Sequence, residues 1–272
     1  MKRRKAILKI LVCVKQVPDI DLVKMDPETG NLVRAGVPSL MNPLDTNALE
    51  AAVQLKEQVG GEITVITMGP PAAAAVLRES LAVGADKAIL VSGREFGGAD
   101  TLSTSYAIVK AALQEGEYDL CFCGKESLDG ATGQMGSQLA ERLDYSQVTG
   151  MSLIRSVDEE KRTITVEREM ETGIEIVEAK LPCLFTVEKT HYSARIPNLK
   201  GVLASKKAPI TVLGINDIKD LDMSKIGAVG SGTIVPRIYP PVLPEAGQML
   251  DEGDVASTVE KLCDILAAAD RL

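Results

Sequence analysis

The sequence predicts a doubly wound, mostly parallel α/β sheet with added antiparallel hairpin strands and a C-terminal extension. Three observations carry that expectation. Up to about Leu143, short runs rich in Val, Ile and Leu alternate with longer amphipathic stretches, the rhythm of strand–helix–strand units. Pro and Gly stand between the segments where helices start and stop. After Gln147 the helices drop out and strand-like segments follow one another directly.

Taken in chain order, the first strand is expected over Ile7–Lys15. Its basic start, Lys2-Arg3-Arg4-Lys5, imitates a signal peptide, but Lys9 interrupts the apolar run and no small-residue cleavage site follows, so a buried strand is expected instead. Asn42-Pro43 then opens a helix, with Asn42 able to cap and Pro43 suited to the first turn. Leu44, Ala48, Ala51, Leu55 and Val59 form its apolar stripe, and Gly60-Gly61 ends it. Strands Glu62–Met68, Lys87–Val91 and Asp119–Cys123 follow. They are separated by helices from Pro70-Pro71 to Gly84 and from Thr101 to Gly116, and a fourth helix runs from about Gly133 to Leu143. Parallel strands need crossover helices, so these units imply a sheet covered on both faces, with ligands at the carboxyl ends of its strands. Val148–Ile154, Thr163–Glu169, Gly173–Ala179 and Cys183–Glu188 read as hairpins on the same sheet. Lys189–Pro209 reads as basic and irregular, Asp220–Gly253 as Gly/Pro-rich without a period, and Asp254–Ala269 as a closing helix. The expected organisation is a domain over residues 1–219 and a partner-embracing arm and helix over residues 220–272.

Composition narrows the function classes. The net charge of −8 repels phosphate backbones and anionic lipid, so neither nucleic acid nor membrane insertion is expected. With no Trp, 3 Phe and 5 Tyr, a flavin sandwiched between aromatic rings is disfavoured. Any cofactor must be held by backbone and small polar groups. The five cysteines show no zinc-site or C-x-x-C spacing, which fits reduced thiols and a cytoplasmic setting. Cys121 and Cys123, two apart in a strand, share a face and are expected to pack there. His191, the one histidine, lies in a basic loop and is expected to be solvated. With no G-x-S-x-G and no H-E-x-x-H, chemistry belongs to a cofactor.

The strongest chemical signal is the glycine-studded loop Cys123-Gly124-Lys125-Glu126-Ser127-Leu128-Asp129-Gly130-Ala131-Thr132-Gly133-Gln134-Met135-Gly136, set between a strand and an amphipathic helix. Backbone N–H groups there, joined to a helix N-terminus, suit an anion. The loop matches neither the P-loop nor G-x-G-x-x-G, and by itself it fits a phosphate cradle or a plain turn equally. Other strand ends carry comparable features: Cys13-Val14-Lys15, Met68-Gly69, and Gly98-Ala99-Asp100-Thr101. Asn42 and Asp45 stand on the same edge.

Together these stretches resemble the β subunit of electron-transfer flavoprotein, a Rossmann-like α/β family. The resemblance runs through Val12–Asp19, Met41–Asp45, Leu81–Asp86, the Gly124–Gly136 loop, and Ile196-Pro197-Asn198 leading to Lys206-Lys207. It implies a heterodimer with an α subunit, an acyl-CoA or related flavin dehydrogenase as partner, and a nucleotide in this subunit. That nucleotide is AMP in ordinary members. In electron-bifurcating members it is FAD, reduced by NADH, with ferredoxin as a further acceptor. Thr132-Gly133-Gln134-Met135-Gly136, Val65–Pro71 and Gly98–Thr104 look more like the bifurcating branch, although Ala131 stands where that branch commonly has a second acid. Carried over by position, Cys13, Val14, Lys15, Asn42, Asp45, Met68, Gly69 and the loop residues Cys123, Gly124, Lys125 and Asp129–Met135 would contact adenosine and phosphate. Asp100, Thr101 and Thr104 would reach the ribityl chain or ring edge. Ile196, Pro197, Asn198 and Leu199 match the recognition loop, whose usual anchor is Leu. Three alternatives follow from the sequence: a bifurcating subunit with FAD, an AMP-stabilised scaffold, and a universal-stress-like nucleotide-binding regulator, to which the chain beyond Gln147 gives little room.

Overall fold

The structure, a computed structural model, describes residues 8–19, 24–25, 32–33, 37–189, 191, 193–236 and 247–271. The basic start at residues 2–5 and the Gly/Pro-rich stretch 237–246 lie outside them.

The first half supplies β1 (Lys9–Cys13), β2 (Gln16–Pro18), β3 (Lys24–Met25), β4 (Leu32–Val33), β5 (Ser39–Met41), α1 (Pro43–Val59), β6 (Glu62–Met68), α2 (Ala74–Val83), β7 (Lys87–Val91), α3 (Thr101–Ala112), β8 (Leu120–Gly124) and α4 (Met135–Leu143). The second half adds β9 (Ser146–Asp158), β10 (Thr163–Met170), β11 (Gly173–Lys180), β12 (Cys183–Val187), α5 (Leu199–Lys207), β13 (Thr211–Leu213) and α6 (Val255–Ala268). Nine strands form one sheet in the order β11-β10-β9-β12-β8-β1-β6-β7-β13. From β9 to β13 all neighbours are parallel, whereas β9–β10 and β10–β11 pair antiparallel. Two short antiparallel pairs, β2–β5 and β3–β4, stand outside it.

Strand alternation divides the core in two. Ile10, Val12, Leu120 and Phe122 face α1 and α2 residues such as Leu49 and Leu77. Leu11, Cys13, Cys121 and Cys123 face Ile108 of α3 and Leu139 of α4. Cys121 and Cys123 therefore share a face, as the period of two requires. Phe122 and Phe185, register partners on β8 and β12, stack at 5.3 Å between ring centroids. Such a pair contributes ~0.5–1.5 kcal/mol beyond its buried area.

Two expectations need correcting. Cys183–Glu188 is not a hairpin strand: β12 leaves the β9–β10–β11 meander and inserts parallel between β9 and β8. Lys189–Pro209 is not irregular throughout, because it contains α5. That helix is capped by the Asn198 side chain, which accepts from Gly201 N, and it packs so closely on α2 that a Cβ on Gly201 would overlap the Ala82 carbonyl.

The compact body runs through Pro236, and Ile218 and Ile226 are buried within it. The described residues 247–271 belong to a second unit, which contains α6. Asp254 caps α6, and Val255, Val259, Leu262 and Ile265 are exposed along it. No helix among the described residues is long and apolar enough to cross a membrane.

Candidate functional site

Because β8, β1 and β6 are parallel neighbours, their carboxyl ends stand side by side, and a cavity of about 420 Å³ opens beyond them. Cys13, Val14, Met68, Cys123 and Gly124 line its base. Asn42 and Asp45 of the α1 start, with Lys15, Lys125, Glu126 and Ser127, form one wall. Ala99, Asp100, Thr101, Thr104 and Ile108 form the opposite one. Gly130, Thr132, Gly133, Gln134, Met135 and Leu139 complete the rim with Thr233.

Asp45 ties two strand ends together. Its Oδ2 accepts from Lys15 N at 2.8 Å and its Oδ1 from Gly124 N at 2.8 Å. A Cβ at position 124 would press on Oδ1 and on Leu44, which is why glycine ends β8. Burial pushes the Asp45 carboxyl up to about 7, against the N–H donors of Gly124 and Lys15 and the Asn42 side chain, which pull it down. Asn42 does not cap α1 with its side chain, contrary to expectation. Its Nδ2 donates to Glu126 O at 2.8 Å and its Oδ1 accepts from Leu128 N at 3.0 Å, so it shapes the loop instead.

Lys15 Nζ lies 2.6 Å from Asp129 Oδ1 and donates to Ser127 Oγ. Burial opposes ionisation of Asp129, but the Lys15 and Ser127 hydrogen bonds outweigh it and hold the carboxyl below its ordinary value. Lys125 pairs with Glu188 at 3.0 Å. Asp100 caps α3 by accepting from Ser103 N at 3.0 Å, and its other oxygen accepts from Thr233 N at 3.0 Å. Ser231 Oγ accepts from Asp100 N at 2.8 Å, so the segment after Ile226 is strapped across the α3 terminus. Burial disfavours the charged form here too, yet these N–H donors keep the Asp100 carboxyl lowered.

Three expected residues do not line the cavity. Gly69 donates to Val91 O, Asp129 turns to Lys15, and Ala131 occupies the turn itself at φ 46°. Among the residues that the sequence did not single out, Ile108 and Leu139 sit on the apolar faces of α3 and α4, a signal that marks core and cavity alike. Thr233 carries no local signal. Away from the cavity, Ile196 is 90% exposed and Leu199 is 74% exposed. Pro197 is partly buried, and Asn198 is used as the cap of α5. The His191 side chain is mostly exposed, with Nε2 3.9 Å from Glu167.

The residues fit a phosphate-bearing nucleotide. Gly133, at φ +63°, has open space where a Cβ would stand, so backbone can approach a ligand closely there. No side chain caps α4, which leaves its N-terminal N–H groups and positive dipole end for an anion. Sulfur and aliphatic groups at the base suit a ring system. Among the described residues no His/Cys/Asp/Glu group could hold a metal ion.

Comparison with known proteins agrees with this geometry. Residues 29–218 match the electron transfer flavoprotein domain family. The chain is 43% identical over 260 residues to an electron transfer flavoprotein subunit beta of Thermoanaerobacterium thermosaccharolyticum, covering 95% of this chain and 98% of that one. It is 39% identical over 270 residues to protein FixA of Azorhizobium caulinodans, covering 97% and 96%. With subunit CarD of the caffeyl-CoA reductase–Etf complex of Acetobacterium woodii it shares 44% over 244 residues, covering 89% and 92%. A parallel sheet with a phosphate-suited edge and relatives matched over nearly their whole length lead to one assignment: the chain belongs to the electron transfer flavoprotein family, as a β subunit.

Proposed function

We propose that the cavity binds FAD, and that the subunit takes electrons from NADH and passes them by flavin-based bifurcation to the α-subunit flavin, with ferredoxin as the second acceptor. An acyl-CoA or related flavin dehydrogenase is the onward partner. The naming of the Acetobacterium relative as part of a caffeyl-CoA reductase complex supports a CoA-thioester reductase or dehydrogenase in that role.

The observation that carries FAD over AMP is the continuity of the cavity. It runs from Asn42 and Asp45 across the strand ends to Thr101, Thr104, Ile108 and Thr233. A nucleotide monophosphate at the α1 end would leave the α3 end unfilled, whereas a dinucleotide spans both. When bound, FAD supplies hydride acceptance and one-electron transfer. The chain's own residues do the holding. Backbone N–H groups of Thr132 and Gly133 and the α4 terminus would face phosphate, Thr101 and Thr104 would offer hydroxyls, and Met68, Ile108 and Leu139 would exclude water. Ile196, exposed beside Pro197, is proposed as the anchor that enters a pocket of the dehydrogenase. Acid extraction of the purified heterodimer, with FAD and AMP counted per complex, tests the cofactor. FAD in both subunits without AMP is the expected result. AMP with flavin confined to the α subunit would overturn it.

A further inference from the structure

We infer that Arg195, gripped by Glu50 and Glu57 of α1, is the positioning residue that holds Ile196 ready for docking; the inference rests on the docking role proposed above for Ile196. The Arg195 backbone N donates to Glu50 Oε2 at 3.1 Å, its Nε to the same oxygen at 2.9 Å, and its Nη2 to Glu50 Oε1 at 3.1 Å. Its Nη1 and Nη2 also donate to the two oxygens of Glu57, at 2.6 and 3.0 Å. Glu50 and Glu57 lie two helical turns apart on one face of α1. The planar fork thus satisfies two carboxylates at once, a geometry that a lysine cannot copy.

The other side of Ile196 is pinned as well. Asn198 caps α5, Gly201 sits against the Ala82 carbonyl, and Arg78 Nη1 of α2 donates to Ser205 O and Ala208 O at the far end of α5. Only Ile196 and Pro197 lie between the two pins. Pro197 fixes its own φ and confines Ile196 to extended conformations. The outcome is an aliphatic side chain 90% exposed on a backbone held on both sides.

A need for stability alone does not explain this arrangement. Glu50 is 4% exposed, and replacing a buried ion pair with apolar side chains is often neutral or stabilising. Fold stability alone would therefore be served by an apolar residue at position 50. What the pair adds is a fixed direction for the residue next to Arg195. A partner that receives a pre-ordered anchor avoids the ordering cost at binding, so loss of the clamp should weaken docking by on the order of tenfold. The rate at saturation should not change, because the docked geometry is the same.

The test uses the heterodimer with a purified acyl-CoA dehydrogenase as acceptor. The double variant Glu50→Met/Arg195→Met removes the clamp without leaving a buried carboxylate orphaned, since Glu57 is exposed; Arg195→Lys keeps charge without the fork, and Ile196→Glu is the docking control. For the double variant the expected result is wild-type flavin content, melting temperature and reduction by NADH. The KM for the dehydrogenase should rise on the order of tenfold at unchanged kcat. Trypsin should cut faster at Lys189 or Lys200, and Arg195→Lys should fall in between. An unchanged KM in the double variant, with transfer abolished by Ile196→Glu, overturns the clamp and leaves docking standing. Normal transfer by Ile196→Glu removes the docking role and the clamp's purpose with it. Loss of flavin or of melting temperature in the double variant makes the pair a fold element and also overturns the inference.

Discussion

Replacing Asp45 with Asn probes the carboxyl that joins β1 to β8. In the unfolded chain this group titrates near its ordinary value of 3.8, while burial in the folded chain raises it to about 7. Between those values the folded chain holds a proton that the unfolded chain has released. Stability therefore falls as pH rises, by ~1.36 kcal/mol per unit for one such group. The loss is absent below the unfolded value and levels off above the folded one. From pH 5 to pH 8, Asp45 alone should remove about 2.5 kcal/mol. The amide of Asp45→Asn would titrate nothing, so that slope disappears. Its single acceptor oxygen can serve only one of Lys15 N and Gly124 N, and the orphaned donor costs ~1–3 kcal/mol at all pH values. The variant should thus be clearly weaker at pH 5 and close to wild type at pH 8. Urea unfolding of the heterodimer at the two pH values, at fixed concentration, measures both effects. A variant with the wild-type pH slope would show that Asp45 is already ionised at pH 5, and the burial argument would fail.

Two further outcomes follow from close packing and capping. Gly136→Ala would drive a β-carbon into Thr186 Cγ2, with Cys123 Sγ at 3.2 Å, so α4 must shift at a cost of ~1–3 kcal/mol. Thermal melting should fall and cofactor should dissociate faster; an unchanged melting temperature would contradict the packing account. Asp100→Ala removes the α3 cap, worth ~0.5–2 kcal/mol, and frees the strap at Thr233. Hydrogen exchange at the Thr233 amide should accelerate, and undiminished protection there would count against the strap.

The central strands and α1–α4 were legible because period and punctuation agree. Val-, Ile- and Leu-rich runs stop at Gly or Pro, and the strands are parallel because helices lie between them. β12 was recognisable as a strand but not as an insertion, since Cys183–Val187 has the same local pattern whichever neighbours it pairs with. α5 escaped because it is only nine residues long and Gly201, Val202 and Ser205 are weak helix formers. Beyond the local Asn198 cap, its stability comes from Arg78 and from contact with α2, neither of which is local. The cavity edge was readable from the rule that parallel sheets open at their carboxyl ends. Thr233 was not, because its bond at the site is to Asp100, more than a hundred residues earlier. Asn42 stands on that edge, but its side chain takes the Glu126–Leu128 loop in preference to the helix end.

The place of β12 governs how the chain can be built during synthesis. β8 meets β1 as soon as it emerges, but its other edge stays open until Cys183–Val187 leaves the ribosome. The meander from β9 to β11 is complete by then, yet it reaches the rest of the sheet only across β12. β12 is therefore the keystone, with Leu184 and Phe185 fully buried in its middle. A nascent chain stalled before it presents two unpaired apolar edges to its surroundings, the condition under which strands pair with the wrong molecule. A break at the Glu171–Gly173 turn leaves every parallel pairing intact, whereas removal of these five residues separates the sheet into two pieces.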